Sequence, residues 1–186
     1  MKKIISISNQ KGGVGKTTTT INLATSLAAV KKNVLIVDAD PQGNASTGLG
    51  LTYNDRKPSI YEMIHEKKLL KEGIKETLIP GLKIIGANTD LAAAEVELTS
   101  FENREFVFKS IFSEINDFDF IFVDCPPALG LLTINSLVAS NTALIPLQSE
   151  FFATRFPTDC VVVIPGFFAY EEQGFQFFLR HRLRFY

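Results

Sequence analysis

The chain has 186 residues, 46% of them hydrophobic and 21% charged, with a formal net charge of −1 and no Trp. That length suits one compact α/β domain rather than two, and the ordinary composition excludes disorder, collagen and coiled coil. Near-zero charge excludes a globally basic nucleic-acid binder, though not a local basic face. Two cysteines, Cys125 and Cys160, are too few for a disulfide framework and fit a reducing cytoplasm. In the opening MKKIISISNQ, Ser6, Ser8, Asn9 and Gln10 interrupt the apolar run, so no signal peptide is read. Nothing reaches the roughly 18 apolar residues of a membrane span. A soluble intracellular protein is expected.

In chain order, the first apolar run is Ile4 to Ile7, followed by Val34 to Val37, Phe120 to Val123 and Ala143 to Leu147. These runs are continuous rather than alternating, the pattern of strands covered on both faces. Between the first two lies TTTTINLATSLAAV, a helix with apolar residues on two sides: Leu23, Leu27 and Val30 on one, Ile21, Ala24 and Ala28 on the other. Lys31 and Lys32 suit its negative end, and Asn33 suits a left-handed stop. Strand, helix and strand form a βαβ unit. Beyond it, helices are predicted over Ser59 to Glu66, Asp90 to Leu98, Glu102 to Ile115 and Leu131 to Ala139, with a further strand over Leu82 to Ile85. This alternation predicts a doubly wound, mostly parallel α/β sheet.

The segment Lys11-Gly-Gly-Val-Gly-Lys-Thr-Thr18 follows a strand and opens a helix. Without Cβ atoms, Gly12, Gly13 and Gly15 let the main chain, Val14 included, wrap an anion and point N–H groups at it. The helix starting near Lys16 adds free N–H groups and a positive dipole end. Lys16 can reach β- and γ-phosphates, the Thr17 hydroxyl can ligate Mg²⁺, and Thr18 can donate to an α-phosphate. The strict pattern GxxxxGK[ST] is not met, because Gln10 stands at its first glycine. A lysine before the glycine pair stands here instead.

Two further runs end in carboxylates. In VLIVDADPQGN, Pro41 and Gly43 end the strand, leaving Asp38 and Asp40 at the carboxyl edge of the sheet, where open α/β sheets bind ligands. Capping of the loop by Asx-turns is the alternative role for either. In FDFIFVDCPP an apolar strand ends in Asp124, as it would to hold Mg²⁺ through a water. Cys125 lacks the partners a cluster needs and reads as a structural thiol. His65 and His181 show no ligand spacing.

KGGVGKTT resembles the deviant Walker A motif of the ParA/MinD class of P-loop ATPases, and the run ending in Asp124 resembles Walker B. The resemblance implies ATP and Mg²⁺ as cofactors, and a P-loop fold. It implies that Lys11 reaches the partner's phosphates in a nucleotide-sandwich homodimer, a charge delivered in trans like an arginine finger. It assigns Asp40 to a switch loop that positions the attacking water, Asp38 to a place near the metal, and Cys125 to Gly130 to a second switch loop. Phrases such as DADPQGNAST, GANTDLAAAEVEL and DCPPALGLLTINSLVASNTALIPLQSEFFA resemble the ParA/Soj partition branch more than MinD. That branch implies ATP hydrolysis, nonspecific DNA binding by the dimer, stimulation by a ParB-type partner bound at a centromere-like site, and a cytoplasmic, nucleoid-associated location.

The resemblance runs from Lys2 to about Ala153, so residues 1–153 read as a P-loop ATPase domain and 154–186 as an atypical segment. Of 16 Phe residues, 9 lie in the last 36 positions, which marks a truncated or altered C-terminus relative to the family. Base recognition and the DNA face are then not assured. A short strand over Val161 to Ile164 is bounded by Pro157 and Pro165. From Phe175 to Tyr186, aromatic and apolar residues alternate with Arg180, Arg182 and Arg184, as in a basic membrane-surface element. A MinD-like membrane-associated division-site regulator is therefore the second reading, and a non-enzymatic remnant the third. The body of the sequence opposes membrane targeting.

Overall fold

The structure is a computed structural model that describes residues 2–147 and the backbone of a strand at 160–165. Seven strands form one sheet: β1 (Lys3–Ile7), β2 (Val34–Asp38), β3 (Ile74–Glu76), β4 (Leu82–Ile85), β5 (Phe120–Asp124), β6 (Thr142–Leu147) and β7 (Cys160–Pro165). Their spatial order is β3-β4-β2-β5-β1-β6-β7. The five inner strands are parallel, while β3 and β7 close the edges antiparallel to β4 and β6. The helices are α1 (Lys16–Ala29), α2 (Asn44–Gly48), α3 (Ile60–His65), α4 (Leu70–Gly73), α5 (Leu91–Glu97), α6 (Val107–Ser113) and α7 (Leu131–Ala139). This is the doubly wound, mostly parallel sheet the alternation predicts.

Continuous burial follows from cover on both faces. All five residues of β2 are buried. Alternate positions feed two separate cores, as a period of two requires. Leu35 and Val37 join Ile121 and Val123 against Leu91, Ala94, Phe108, Phe112 and Leu132. Val34 and Ile36 join Ile84 and Phe122 on the other face, against Ala24 and Ala28 of α1.

The strand order positions the site. Chain order would place β1 beside β2, but β5 is inserted between them. Its last residue, Asp124, therefore stands opposite Ile7 on one side and Asp38 on the other. Three loops, following β1, β2 and β5, open side by side at the carboxyl edge.

Several expectations are corrected. Helix α1 meets the sheet through Thr20, Ala24 and Ala28, small residues that allow close approach. Of the apolar stripe expected over Leu23, Leu27 and Val30, Leu23 is 37% and Val30 64% exposed. The left-handed stop is Lys31 (φ 63°), not Asn33. Lys31 N–H donates to Ala28 C=O and Lys32 N–H to Leu27 C=O, the two bonds of a Schellman motif. The helix predicted over 102–115 is shorter, because Asn103 is left-handed (φ 55°) and a 3₁₀ turn at Arg104–Phe106 precedes α6. Strand β3 and helices α2 and α4 were not predicted; at three to five residues they are too short to show a period. The short strand expected at 161–164 is β7, one residue longer at each end, with Pro165 on an edge strand, where a missing N–H is tolerated.

Candidate active site

The first loop is shaped for close approach to an anion. Gly13 (φ 74°) and Gly15 (φ 83°) are left-handed, and Gly15 leads directly into α1. Nothing lies within 4 Å of where a Cβ would stand at Gly12, Gly13 or Gly15, so the space beside each glycine is open. Val14 is buried and anchors the loop from below. Asn9 ties its start to the sheet: the side-chain amide donates to Pro146 C=O at 2.7 Å, and Oδ1 accepts from Lys11 N–H at 2.9 Å. Lys16 is only 7% exposed, and its ammonium donates back to Lys11 C=O at 3.1 Å. A cation is thus held against the loop by one of the loop's own carbonyls. Lys11 and Thr18 lie at the exposed mouth.

Beneath the loop sit three buried carboxylates. Asp124 Oδ2 accepts from the Thr17 hydroxyl at 2.7 Å and Oδ1 from the Thr20 hydroxyl at 3.1 Å. Asp38 Oδ2 accepts from the Ser46 N–H at 2.8 Å and its hydroxyl at 2.7 Å, while Oδ1 accepts from Asp40 N–H. Asp40 Oδ1 accepts from Gln42 N–H at 2.9 Å, the Asx-turn the sequence offered as the alternative role. Burial is the main cause that pushes Asp124 up to about 7 and Asp38 up to about 6, with mutual repulsion adding to it. Such strained carboxyls at a sheet edge mark a site built to receive positive charge.

The donor set fits a magnesium ion shared with a phosphate chain. Thr17 and Asp124 offer adjacent hard oxygens. Among the described residues no group of three or more His, Cys, Asp or Glu could hold a metal by itself. Mg²⁺ typically takes one or two protein oxygens and completes its shell with phosphates and waters, so a sparse set matches that habit and not a dedicated cage.

A protein-family model described as an AAA domain matches residues 2–163. The chain is 48% identical over 152 residues to the chromosome partitioning protein ParA of Myxococcus xanthus, covering 81% of this chain and 54% of that protein. It is 47% identical over 154 residues to the sporulation initiation inhibitor protein Soj of Bacillus subtilis, covering 82% and 61%. The chain belongs to the ParA/Soj family. It spans between half and two thirds of the length of these relatives. Among solved structures, a cobyrinic acid a,c-diamide synthase from Mycobacterium smegmatis with bound ADP and magnesium superposes with a TM-score of 0.78 at 36% identity, over 83% of this chain and 63% of that one. A Borrelia burgdorferi B31 plasmid partition protein bound to AMPPNP gives 0.71 at 29%, over 82% and 65%.

In this ParA/Soj chain the fold gathers Lys11 to Thr18, Asp38, Asp40 and Asp124 at one edge, with Asp124 set opposite Asp38 by a strand order the sequence did not show. Cys125 is buried, and burial pushes its thiol up to about 12, which disfavours the thiolate and suits the structural role expected. His65 packs edge-on against Tyr61 and Phe101, with Glu97 3.1 Å from its ring nitrogen. Cys160 lies in β7, and His181 and the segment 175–186 lie outside the described residues. No helix among the described residues is long and apolar enough to cross a membrane.

Sequence reasoning missed four contributors. Thr20 lies one turn beyond Thr17, and three-residue spacing within TTTT was a usable signal. Ser46 couples Asp38 to β4, since its hydroxyl also accepts from Ala87 N–H at 3.0 Å. Arg56 fastens the loop after β2, donating to Thr47 Oγ1 at 2.7 Å and to Ala87 C=O at 3.2 Å. Glu95 holds the start of α7.

Proposed function

We propose that this chain binds MgATP between the loop 11–18 and the carboxylates Asp38, Asp40 and Asp124, and hydrolyses it as the nucleotide switch of a partition protein. The observation that carries the reading is the pairing of an open, glycine-lined anion cradle with Asp124, bonded to Thr17 directly beneath it. Family membership supports it, as do the ADP with magnesium and the AMPPNP bound by the two similar structures.

The roles follow from position. Backbone N–H groups of Gly12 to Lys16 and the N-terminus of α1 cradle the phosphates. The Lys16 ammonium exchanges its carbonyl acceptor for phosphate oxygens, and Thr18 lies at the mouth for an α-phosphate. Thr17 and Asp124 would hold the metal, with Asp38 near it. When bound, Mg²⁺ neutralises charge on the phosphates. Asp40 orients the water that attacks the γ-phosphorus; the bond to the β-phosphate oxygen breaks and ADP leaves. Lys11, exposed at the rim, delivers its charge across an ATP-bound homodimer. Residues 1–153 carry this chemistry, and 154–186 are an atypical C-terminal segment from which β7 adds an edge strand to the sheet. A ParB-type protein and nonspecific DNA are the partners, and the nucleoid the location.

Equilibrium ATP binding combined with size determination, with and without Mg²⁺, tests this. The expected result is Mg²⁺-dependent binding and a shift from monomer to dimer with a non-hydrolysable analogue. A chain that binds no nucleotide is a remnant, and the proposal fails. Sedimentation with anionic liposomes in ATP would instead favour the MinD-like reading.

Asp40→Ala should separate binding from chemistry. Its carboxylate caps its own loop through Gln42, a contact worth about 1 kcal/mol, so the fold should survive. Turnover should fall roughly 100-fold with ATP affinity nearly unchanged, as for an interaction made only in the transition state. Parental turnover would remove Asp40 from the mechanism.

A further inference from the structure

Helix α7 begins directly after the loop Cys125–Gly130 that leaves Asp124, and Gly130 at its N-cap has no side chain to satisfy the first amides. A different helix supplies the cap. The Glu95 carboxylate on α5 accepts from Leu131 N–H at 2.7 Å and from Leu132 N–H at 3.2 Å, placing negative charge at the positive end of α7. The loop is also folded onto α7 by the Thr133 hydroxyl, which donates to Ala128 C=O at 2.6 Å. Gly130 has φ −93° and ψ −173°, a backbone any residue adopts, so its need for glycine is one of space. A Cβ there would stand 2.5 Å from both carboxylate oxygens of Glu95. The other end of the same connection is fixed as well, since Ala87 N–H, a few residues before α5, donates to the Ser46 hydroxyl that holds Asp38.

We infer that Glu95 is a positioning residue for phosphoryl transfer: with Gly130 it forms a clasp that ties the loop after Asp124 to α5, and so to the element that orients Asp38. The two carboxylate loops then move as one unit when the site fills. This rests on the nucleotide reading above. Glu95 touches neither the cradle nor the metal donors, so its loss should spare nucleotide affinity and reduce turnover.

Glu95→Ala, Gly130→Ala and the double variant test it in the full chain. Amide hydrogen exchange at Leu131 and Leu132 should accelerate about tenfold in each single variant, the size of a lost cap. MgATP turnover should fall by a similar factor while the dissociation constant for MgATP stays within about twofold. Because the new methyl at Gly130 acts only by displacing the carboxylate, it should add nothing once Glu95 is gone, so the double variant should match Glu95→Ala. Glu95→Gln, which keeps one acceptor, should recover part of the turnover. Parental exchange and turnover in Glu95→Ala, or additive losses in the double variant, overturn the clasp alone. A parent chain that turns over no MgATP overturns the ATPase reading on which the clasp depends.

Discussion

Lys16→Ala should abolish measurable MgATP binding while leaving the chain folded. The Lys16 side chain is 7% exposed and points its ammonium into the loop, where Lys11 C=O accepts at 3.1 Å. A carbonyl is a weak partner for a buried cation, and the exchange for phosphate oxygens is correspondingly favourable. Charge-assisted bonds of this kind contribute about 1.5–3 kcal/mol each, and losing two weakens binding by roughly 100-fold or more. Removing an ammonium with so little compensation costs the fold little, because the carbonyl it leaves lies near the loop mouth. Lys16→Arg should not restore binding: the planar fork needs more width than a compact ammonium. Calorimetric titration at fixed ionic strength measures the loss, and a thermal melt checks the fold. Parental affinity in Lys16→Ala would mean the loop is a tight turn and not a phosphate receptor.

The fold was legible in sequence wherever burial ran along whole elements. Val34 to Val37 and Phe120 to Val123 announce covered strands, because a parallel sheet clothed on both faces requires unbroken apolar runs. Site residues were legible for a related reason: glycines and carboxylates interrupt such runs where the chain turns at the sheet edge. What stayed hidden depends on contacts distant in sequence. That β5 enters between β1 and β2, setting Asp124 opposite Asp38, is a matter of strand order, and nothing in either strand encodes it. The edge strand β3 has three residues, too few for a period. Ser46, Arg56 and Glu95 are ordinary polar residues whose meaning lies in the loops they reach. For Glu95 there was an indirect signal, in that a helix opening on Gly130 lacks its own cap and must borrow one. Leu23 and Val30 misled because helical spacing says which residues share a face, not whether a neighbour covers it.

Asp124→Asn should raise the stability of the nucleotide-free chain near pH 8 while reducing MgATP turnover by about 100-fold or more. Burial pushes the Asp124 carboxyl up to about 7, far above the ordinary value of 3.8. The folded chain therefore holds a proton that the unfolded chain releases across the interval from about 4 to 7. Stability falls as pH rises through that window and stays low above it. Asparagine is neutral throughout and removes the Asp124 share of this dependence, leaving that of Asp38, which burial pushes up to about 6. Its geometry is tolerated: the amide oxygen can accept from Thr17, as Asp124 does now. The amide N–H can donate to the Thr20 oxygen, whose own hydroxyl then donates to Lys16 C=O, 3.0 Å away. Relief of the buried charge is worth on the order of 2 kcal/mol, several degrees in melting temperature for a chain of this size. On the proposed reading, a bound cation would do the same work by taking the place of the proton. The parent should therefore gain more from Mg²⁺ with ADP at pH 8 than at pH 6, and Asp124→Asn should gain little at either. Thermal melts across pH, with and without Mg²⁺ and ADP, read both effects. A variant that melts lower than the parent at pH 8, or hydrolyses MgATP at the parental rate, would show that Asp124 is a structural cap and that the metal site lies elsewhere.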